Sequence, residues 1–142
     1  MKYLLTSIVV IQLLSCHLDR TSNTFDTLKT GVFAAKEKNV KIFVVFDAFG
    51  SPTNYVDKIL QDEEIATALN HNVIVRLRCD DKSNLNDTLS VGEFNSNLQR
   101  EITGEYYQPM FCFLDKTGAK ISPPLGYSKK ESVIEYIEKH IK

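Results

Sequence analysis

Cysteine is scarce in this chain. There are three in 142 residues, at Cys16, Cys79 and Cys112, and no two share a Cys-x-x-Cys spacing. That excludes a disulfide framework and a close-set dithiol or thiolate metal motif. Charge of one sign is lacking too: 17 Lys+Arg face 18 Asp+Glu, for a formal net charge of -1. With no basic stripe interleaved with aromatics, nucleic acid is excluded as a partner. Histidine is confined to His17, His71 and His140, which leaves few candidates for a catalytic base. No apolar run reaches the roughly 20 residues of a membrane-spanning helix. No repeat, low-complexity segment or cofactor motif interrupts the chain.

What is present fits one soluble domain: 43% of residues are hydrophobic and 25% charged, enough for a core of ordinary size. The first twenty residues are set apart from it. Lys2 precedes an apolar run from Tyr3 to Leu14, and the run ends Leu13-Leu14-Ser15-Cys16. This has the shape of a signal peptide closing on a bacterial lipobox, in which the cysteine is acylated and becomes the mature N-terminus. The expected division is a lipoprotein signal peptide over residues 1–15, a tether over 16–22 and a folded domain over 23–142. Cys16 would anchor the chain to a membrane of the cell envelope, facing the periplasm or the exterior.

Within the domain, Phe25, Leu28, Val32 and Phe33 recur at helical spacing behind the candidate caps Asn23 and Thr24, predicting a helix over 24–38. The run "KIFVVFDAF" at 41–49 reads as a strand buried on both faces. Asp47 inside it is either satisfied near the strand end or raised in pKa for proton transfer. Residues 55–70 predict a helix that breaks near Gln61-Asp62 and restarts. A strand over 73–79 leads into the loop "DDKSNLNDT". A helix over 91–103 closes on Gly104. A strand over 109–114, the turn "DKTG" and a returning strand over 119–122 form a hairpin. Ser128 to Glu131 reads as a capping box ahead of a final helix. The fold class is α/β, a mixed sheet with helices on both faces.

This order and the local sequence resemble the thioredoxin-like family, and more narrowly the C-terminal domain of the thiol-disulfide interchange protein DsbD and its secreted bacterial relatives. The resemblance covers roughly 43–141. It rests on "FDAFGSPTN" where the family has an aromatic-glycine-Cys-x-x-Cys turn, on "DEEIATALNHNVIVRLRCDDKS", on "LQREITGEYYQPMFCFLD" and on "GYSKKESVIEYIEK". It implies a thioredoxin fold with a cis-proline loop at Gln108-Pro109, a peptide geometry found in only about 5% of X-Pro bonds.

The departure from the family falls on the chemistry. Ser51 and Asn54 stand where the resemblance places the two cysteines. A helix N-terminus lowers a thiol pKa from about 8.5 into the range of roughly 3.5–7.5. It supplies at most about 2 kcal/mol, or about 1.5 pKa units, too little for an alkanol hydroxyl. Oxygen in any case forms no mixed disulfide. As a hydrolytic nucleophile Ser51 has no base, since the resemblance implies that His71 stands at the opposite end of the sheet. "SPTN" reads instead as a helix start, with Ser51 as N-cap, Pro52 at N1 and Thr53 and Asn54 finishing a polar first turn.

The chain is therefore expected to lack disulfide reductase activity and to act as a protein- or peptide-binding module. The resemblance implies a groove formed by Phe49, Gly50, Ser51 and Pro52, the Gln108-Pro109 loop, and Tyr106 or Tyr107. Its expected partner is an envelope protein or extended peptide, with the membrane engaged through lipid on Cys16. The alternatives are an envelope oxidoreductase acting through one non-standard cysteine, with Cys79 as the possible lone redox thiol, and a structural subunit with a covered groove. Cys112 reads as core, and the strand order that the resemblance implies should exclude a disulfide joining it to Cys79. Asp80, Asp81 and Asp87 lack the glycine and terminal glutamate of a calcium loop and read as solvated.

Overall fold

A computed structural model describes residues 23–48 and 54–142. The calls on the signal peptide, the tether and Cys16, and those on Phe49, Gly50, Ser51 and Pro52, lie outside these residues.

Among the described residues the chain order is β1 (Thr24–Phe25), α1 (Leu28–Lys38), β2 (Ile42–Asp47), α2 (Tyr55–Gln61), α3 (Glu63–Ala68), β3 (Val73–Arg78), α4 (Val91–Thr103), β4 (Met110–Leu114), β5 (Leu125–Gly126) and α5 (Lys130–Ile141). The strands form one sheet in the order β1-β3-β2-β4-β5. β1 and β2 run parallel to β3, whereas β4 is antiparallel to both β2 and β5. This is the mixed sheet expected.

The sheet divides the core in two because side chains alternate along a strand. Ile42, Val44 and Phe46 of β2 join Val73, Val75 and Leu77 of β3, with Ala34 and Ala35 of α1 over them. Phe43 and Val45 point the other way, to Phe111 and Phe113 of β4, under Val56, Ile59, Ile65, Val133 and Ile137 of α2, α3 and α5. All six residues of β2 are buried, as a central strand covered on both faces requires. Each large apolar side chain so buried contributes roughly 1.5–3 kcal/mol.

Helix α1 lies close to the sheet because it has a glycine at the contact. A Cβ on Gly31 would stand 2.1 Å from Cγ2 of Val75. The break in the second helix falls at Asp62, whose carboxylate accepts from the backbone N–H groups of Glu64 and Ile65 at 3.1 and 3.3 Å. It ends α2 and caps α3 at once. Helix α4 has the expected bounds, closed by Gly104 at φ 78.

Three boundaries differ from expectation, each for a local reason. Residues 24 and 25 are not helical but pair with Ile74 and Val75 of β3. The cap of α1 is Thr27, whose hydroxyl accepts from the Thr30 N–H at 3.2 Å, rather than Asn23 or Thr24. The strand returning over 119–122 reduces to a single bridge between Leu114 and Lys120, and the edge strand is β5. There the Ser122 hydroxyl, rather than a strand backbone, accepts from the Phe113 N–H at 2.8 Å. Before α5, Ser128 forms no capping box, because its hydroxyl donates back to the Gly126 carbonyl at 3.0 Å and Lys129 takes the cap position.

Candidate functional site

Three strand ends converge at one edge of the sheet. Asp47, the last residue of β2, pairs in register with Arg78, the last of parallel β3. Antiparallel β4 starts there, with Met110 opposite Phe46. The end of β2, Cys79 after β3 and the loop ahead of β4 are thus gathered where open α/β sheets place their sites, beyond the carboxyl ends of the parallel strands. His71 precedes β3 and so stands at the far end, as the resemblance implied.

The loop over 105–109 is held from beneath by Gln99, a fully buried glutamine on α4. Its amide nitrogen donates to the Tyr107 carbonyl at 2.9 Å, and its amide oxygen accepts from the Gln108 side chain at 2.7 Å. Gln108 also donates to the Tyr106 carbonyl at 3.0 Å, curling the loop on itself. One turn on, the Thr103 hydroxyl accepts from the Glu105 N–H at 3.1 Å and donates to the Gln99 carbonyl at 2.8 Å. The Gln108–Pro109 peptide is cis.

With their carbonyls tied down, the rings of Tyr106 and Tyr107 are left exposed, at 70% and 54%. The Arg100 guanidinium stands 6.0 Å over the Tyr106 ring, within cation–π range. The Tyr107 ring lies over Gly126, where a Cβ would stand 3.1 Å from Cε2. Next to that glycine, exposed Tyr127 packs on Tyr55 at a ring-centroid distance of 4.6 Å, and the Tyr55 hydroxyl donates to the Ser128 carbonyl at 2.6 Å. Tyr127 and Tyr55 therefore extend the aromatic rim beyond the residues called from sequence.

Asp47 is satisfied, as the plainer of its two readings held. It is buried, accepts from the Ala48 N–H at 2.8 Å, and receives Nε and Nη2 of Arg76 at 3.0 and 2.5 Å. Arg76 also reaches Asp57 of α2 at 2.6 Å. Burial opposes the charge on Arg76, but its hydrogen bonds to Asp47 and Asp57 outweigh that and raise its pKa. One guanidinium thus fixes the start of α2 to two adjacent strands, a structural task.

Of the turn, Asn54 alone is described, and it stands otherwise than expected. It precedes α2 at φ 66 and forms no side-chain cap bond. A left-handed residue does not belong to a helical turn, and asparagine is among the side chains that tolerate it. Asn54 is thus the cap position itself rather than the end of a first turn.

Both described cysteines are free. Cys79 is half-buried; its thiol donates to the Gln99 amide oxygen at 3.5 Å. Burial pushes its pKa up, against hydrogen bonds from Ser96 and Gln108 that pull it down, so the thiol is protonated at neutral pH. Cys112 is buried within β4, and burial pushes its pKa up to about 12. β2 lies between the two strands, which leaves no geometry for a bond between them. In the acidic loop, Asp80 pairs with Arg78 at 3.2 Å, and Asp81 accepts from the Ser83 N–H and hydroxyl at 2.8 and 2.6 Å. Among the described residues no group of three metal-ligating side chains comes together, and no helix is long and apolar enough to cross a membrane.

Sequence reasoning missed Gln99 and Tyr127. A signal for the first was available: Asn95, Gln99 and Thr103 recur every fourth residue along α4, and all three are buried. An i, i+4, i+8 polar row on the inward face of a helix is a row of groups that must find partners. For Tyr127, six residues short of any apolar periodicity in α5, no such signal exists.

No family model and no curated protein matches this chain. Solved structures do. The reduced C-terminal domain of Neisseria meningitidis DsbD aligns with 82% of this chain and 98% of its own, at 20% identity and a TM-score of 0.58. A protein described as DsbH oxidoreductase aligns with 82% of this chain and 83% of its own, at 14% identity and a TM-score of 0.63. A thioredoxin from Thermus thermophilus aligns over 82% and 85% at 15% identity, with a TM-score of 0.60. Together with the 1-3-2-4-5 sheet order and helices on both faces, these likenesses establish that the chain has the thioredoxin fold.

Proposed function

We propose that this chain is an envelope thioredoxin-like domain, anchored by lipid on Cys16, that has no redox dithiol and binds an extended peptide or protein segment at the loop before β4. The observation that carries the reading is the pairing of two facts. Serine and asparagine occupy positions 51 and 54, while the loop over 105–109 is still held rigidly by Gln99 and rimmed by exposed tyrosines. A fixed loop beside an aromatic rim suits recognition of an extended segment through backbone and side-chain contacts. Electron transfer at that position would need sulfur. The raised thiol of Cys79 speaks against the single-cysteine alternative, since the thiolate is the nucleophile.

The test is recovery of partners from envelope extract by the wild-type chain, by Pro109→Ala and by the double variant Tyr106→Ser/Tyr107→Ser. The tyrosine variant is the control for folding, because both rings are exposed. Loss of the same partner from both variants supports the groove; equal recovery by all three removes it. A partner captured only through a mixed disulfide lost in Cys79→Ala would favour the oxidoreductase.

A further inference from the structure

The aromatic rim continues past the loop before β4, onto both sides of the end of β5. Gly126 pairs with Met110, which belongs to the core layer of α1 and α4, whereas Leu125 pairs with Phe111 of the opposite layer. Successive residues of an extended chain alternate faces. Tyr107, whose Cε2 stands 3.1 Å from where a Gly126 Cβ would be, therefore lies on the α4 side. Tyr127, packed on Tyr55 of α2, lies on the other. Its ring is tilted by 52° to that of Tyr55 rather than stacked, which leaves it 62% exposed. Two tyrosine rings thus flank a residue that has no side chain.

The hydrogen bonding around these rings is one-sided. Four backbone carbonyls there are engaged from within. Those of Tyr106 and Tyr107 accept from the side chains of Gln108 and Gln99 at 3.0 and 2.9 Å. Those of Gly126 and Ser128 accept from the hydroxyls of Ser128 and Tyr55 at 3.0 and 2.6 Å. Donors are left over. Among the described residues no acceptor is found for the N–H groups of Tyr106 and Tyr107 or for the hydroxyls of Tyr107 and Tyr127. A surface of ring faces and outward donors matches a partner that brings acceptors and apolar bulk but few donors. An ordinary extended strand is a poor match, because its N–H groups would face carbonyls already taken. A polyproline II segment is a good one: proline has no N–H, and the carbonyls of that helix make no internal bonds. Its conformation is preformed, and its rings dock on aromatic-lined grooves.

We propose that the partner segment is proline-rich, seated across Gly126 between Tyr107 and Tyr127 and accepting hydrogen bonds from their hydroxyls. This rests on the reading that the loop before β4 binds an extended segment, and it names the class of that segment. The test is titration of the ¹⁵N-labelled full chain with acetyl-octaproline amide, read as amide shifts. An acetylated, amidated Ser-Thr octapeptide, rich in donors, is titrated beside it. Saturable shifts at Tyr106, Tyr107, Gly126 and Tyr127 are expected with octaproline, and binding of the Ser-Thr peptide is expected to be about tenfold weaker. Tyr127→Ser is expected to weaken octaproline binding about tenfold, as loss of an aromatic anchor does. Tyr107→Phe keeps the ring and removes one donor, and is expected to weaken binding about fivefold. Both rings are exposed, so the rest of the spectrum should stay in place in each variant. Equal or tighter binding of the Ser-Thr peptide at the same amides overturns the proline assignment and leaves the peptide-binding reading standing. Silence of both peptides also overturns it, and recovery of envelope partners then decides the peptide-binding reading separately. Octaproline binding that both substitutions leave unchanged overturns the placement between the two rings. Tighter binding of cellohexaose would assign the rings to a carbohydrate and overturn the proposal as well.

Discussion

Replacing Gln99 by leucine tests whether a buried polar side chain holds the candidate binding loop in place. The substitution removes the donor to the Tyr107 carbonyl and the acceptor for the Gln108 amide, at 2.9 and 2.7 Å, and the weaker acceptor for the Cys79 thiol at 3.5 Å, which keeps the Leu77 carbonyl as a partner. Two neutral hydrogen bonds are worth about 1 kcal/mol each in net stability. The freed groups lie in a partly exposed loop, where water replaces part of what they lose, while the leucine side chain keeps most of the buried volume. The expected net destabilisation is about 2 kcal/mol, with a drop in Tm of about 6 °C for a chain of this length. The effect should be local as well as global. Backbone order parameters of Tyr106, Tyr107 and Gln108 are expected to fall relative to those of Val44 and Val45 in central β2, because the loop loses its tie while the sheet does not. Thermal unfolding by circular dichroism and ¹⁵N relaxation measure the two parts. A Tm within about 1 °C of wild type together with unchanged loop order parameters would refute the reasoning and show that the loop is held by its own backbone.

Three further outcomes follow from the same structure, one for the glycines and two for the thiols. Gly31→Ala places a methyl carbon 2.1 Å from Val75 Cγ2, so α1 must shift off β3; a loss of about 1–3 kcal/mol is expected in urea unfolding, whereas Gly104→Ala, with open space around it but φ at 78, should lose less than that. For the thiols, burial raises both folded pKa values above that of an exposed thiol, that of Cys112 to about 12. A raised folded pKa gives stability that is complete below the unfolded thiol's pKa and is lost as pH rises toward the folded one. Stability should therefore decline above about pH 8.5, less steeply in Cys112→Ala, and alkylation of Cys79 at pH 7.5 should run slower than that of an unstructured thiol; a Cys79 rate equal to or above the unstructured one contradicts the protonated assignment.

Much of the fold was legible because it rests on periodicity and on strong punctuation. Strand β2 announced itself as an unbroken apolar run, α4 by a glycine stop, and the α2–α3 break by an aspartate that ends one helix and caps the next. The short edge strands were not legible. β1 and β5 are two residues each, too short for any alternation to register, and they exist through pairing with strands distant in sequence. Ser128 failed as a cap for a similar reason: its pattern was right, but the Gly126 carbonyl competed for its hydroxyl. At the candidate site, the Gln108-Pro109 loop could be placed through resemblance; the polar row Asn95, Gln99 and Thr103 on α4 signals buried groups in need of partners, but not which loop Gln99 supports.

The central claim is the proposal that recognition without disulfide chemistry takes place at the sheet end that carries Asn54 and the loop before β4. The most direct measurement is catalysed reduction of insulin disulfides by the purified chain beside the double variant Ser51→Cys/Asn54→Cys. The account predicts that the wild type adds nothing to the rate set by the chemical reductant, while the variant accelerates it. Turnover by the wild type that disappears with Cys79→Ala would contradict it.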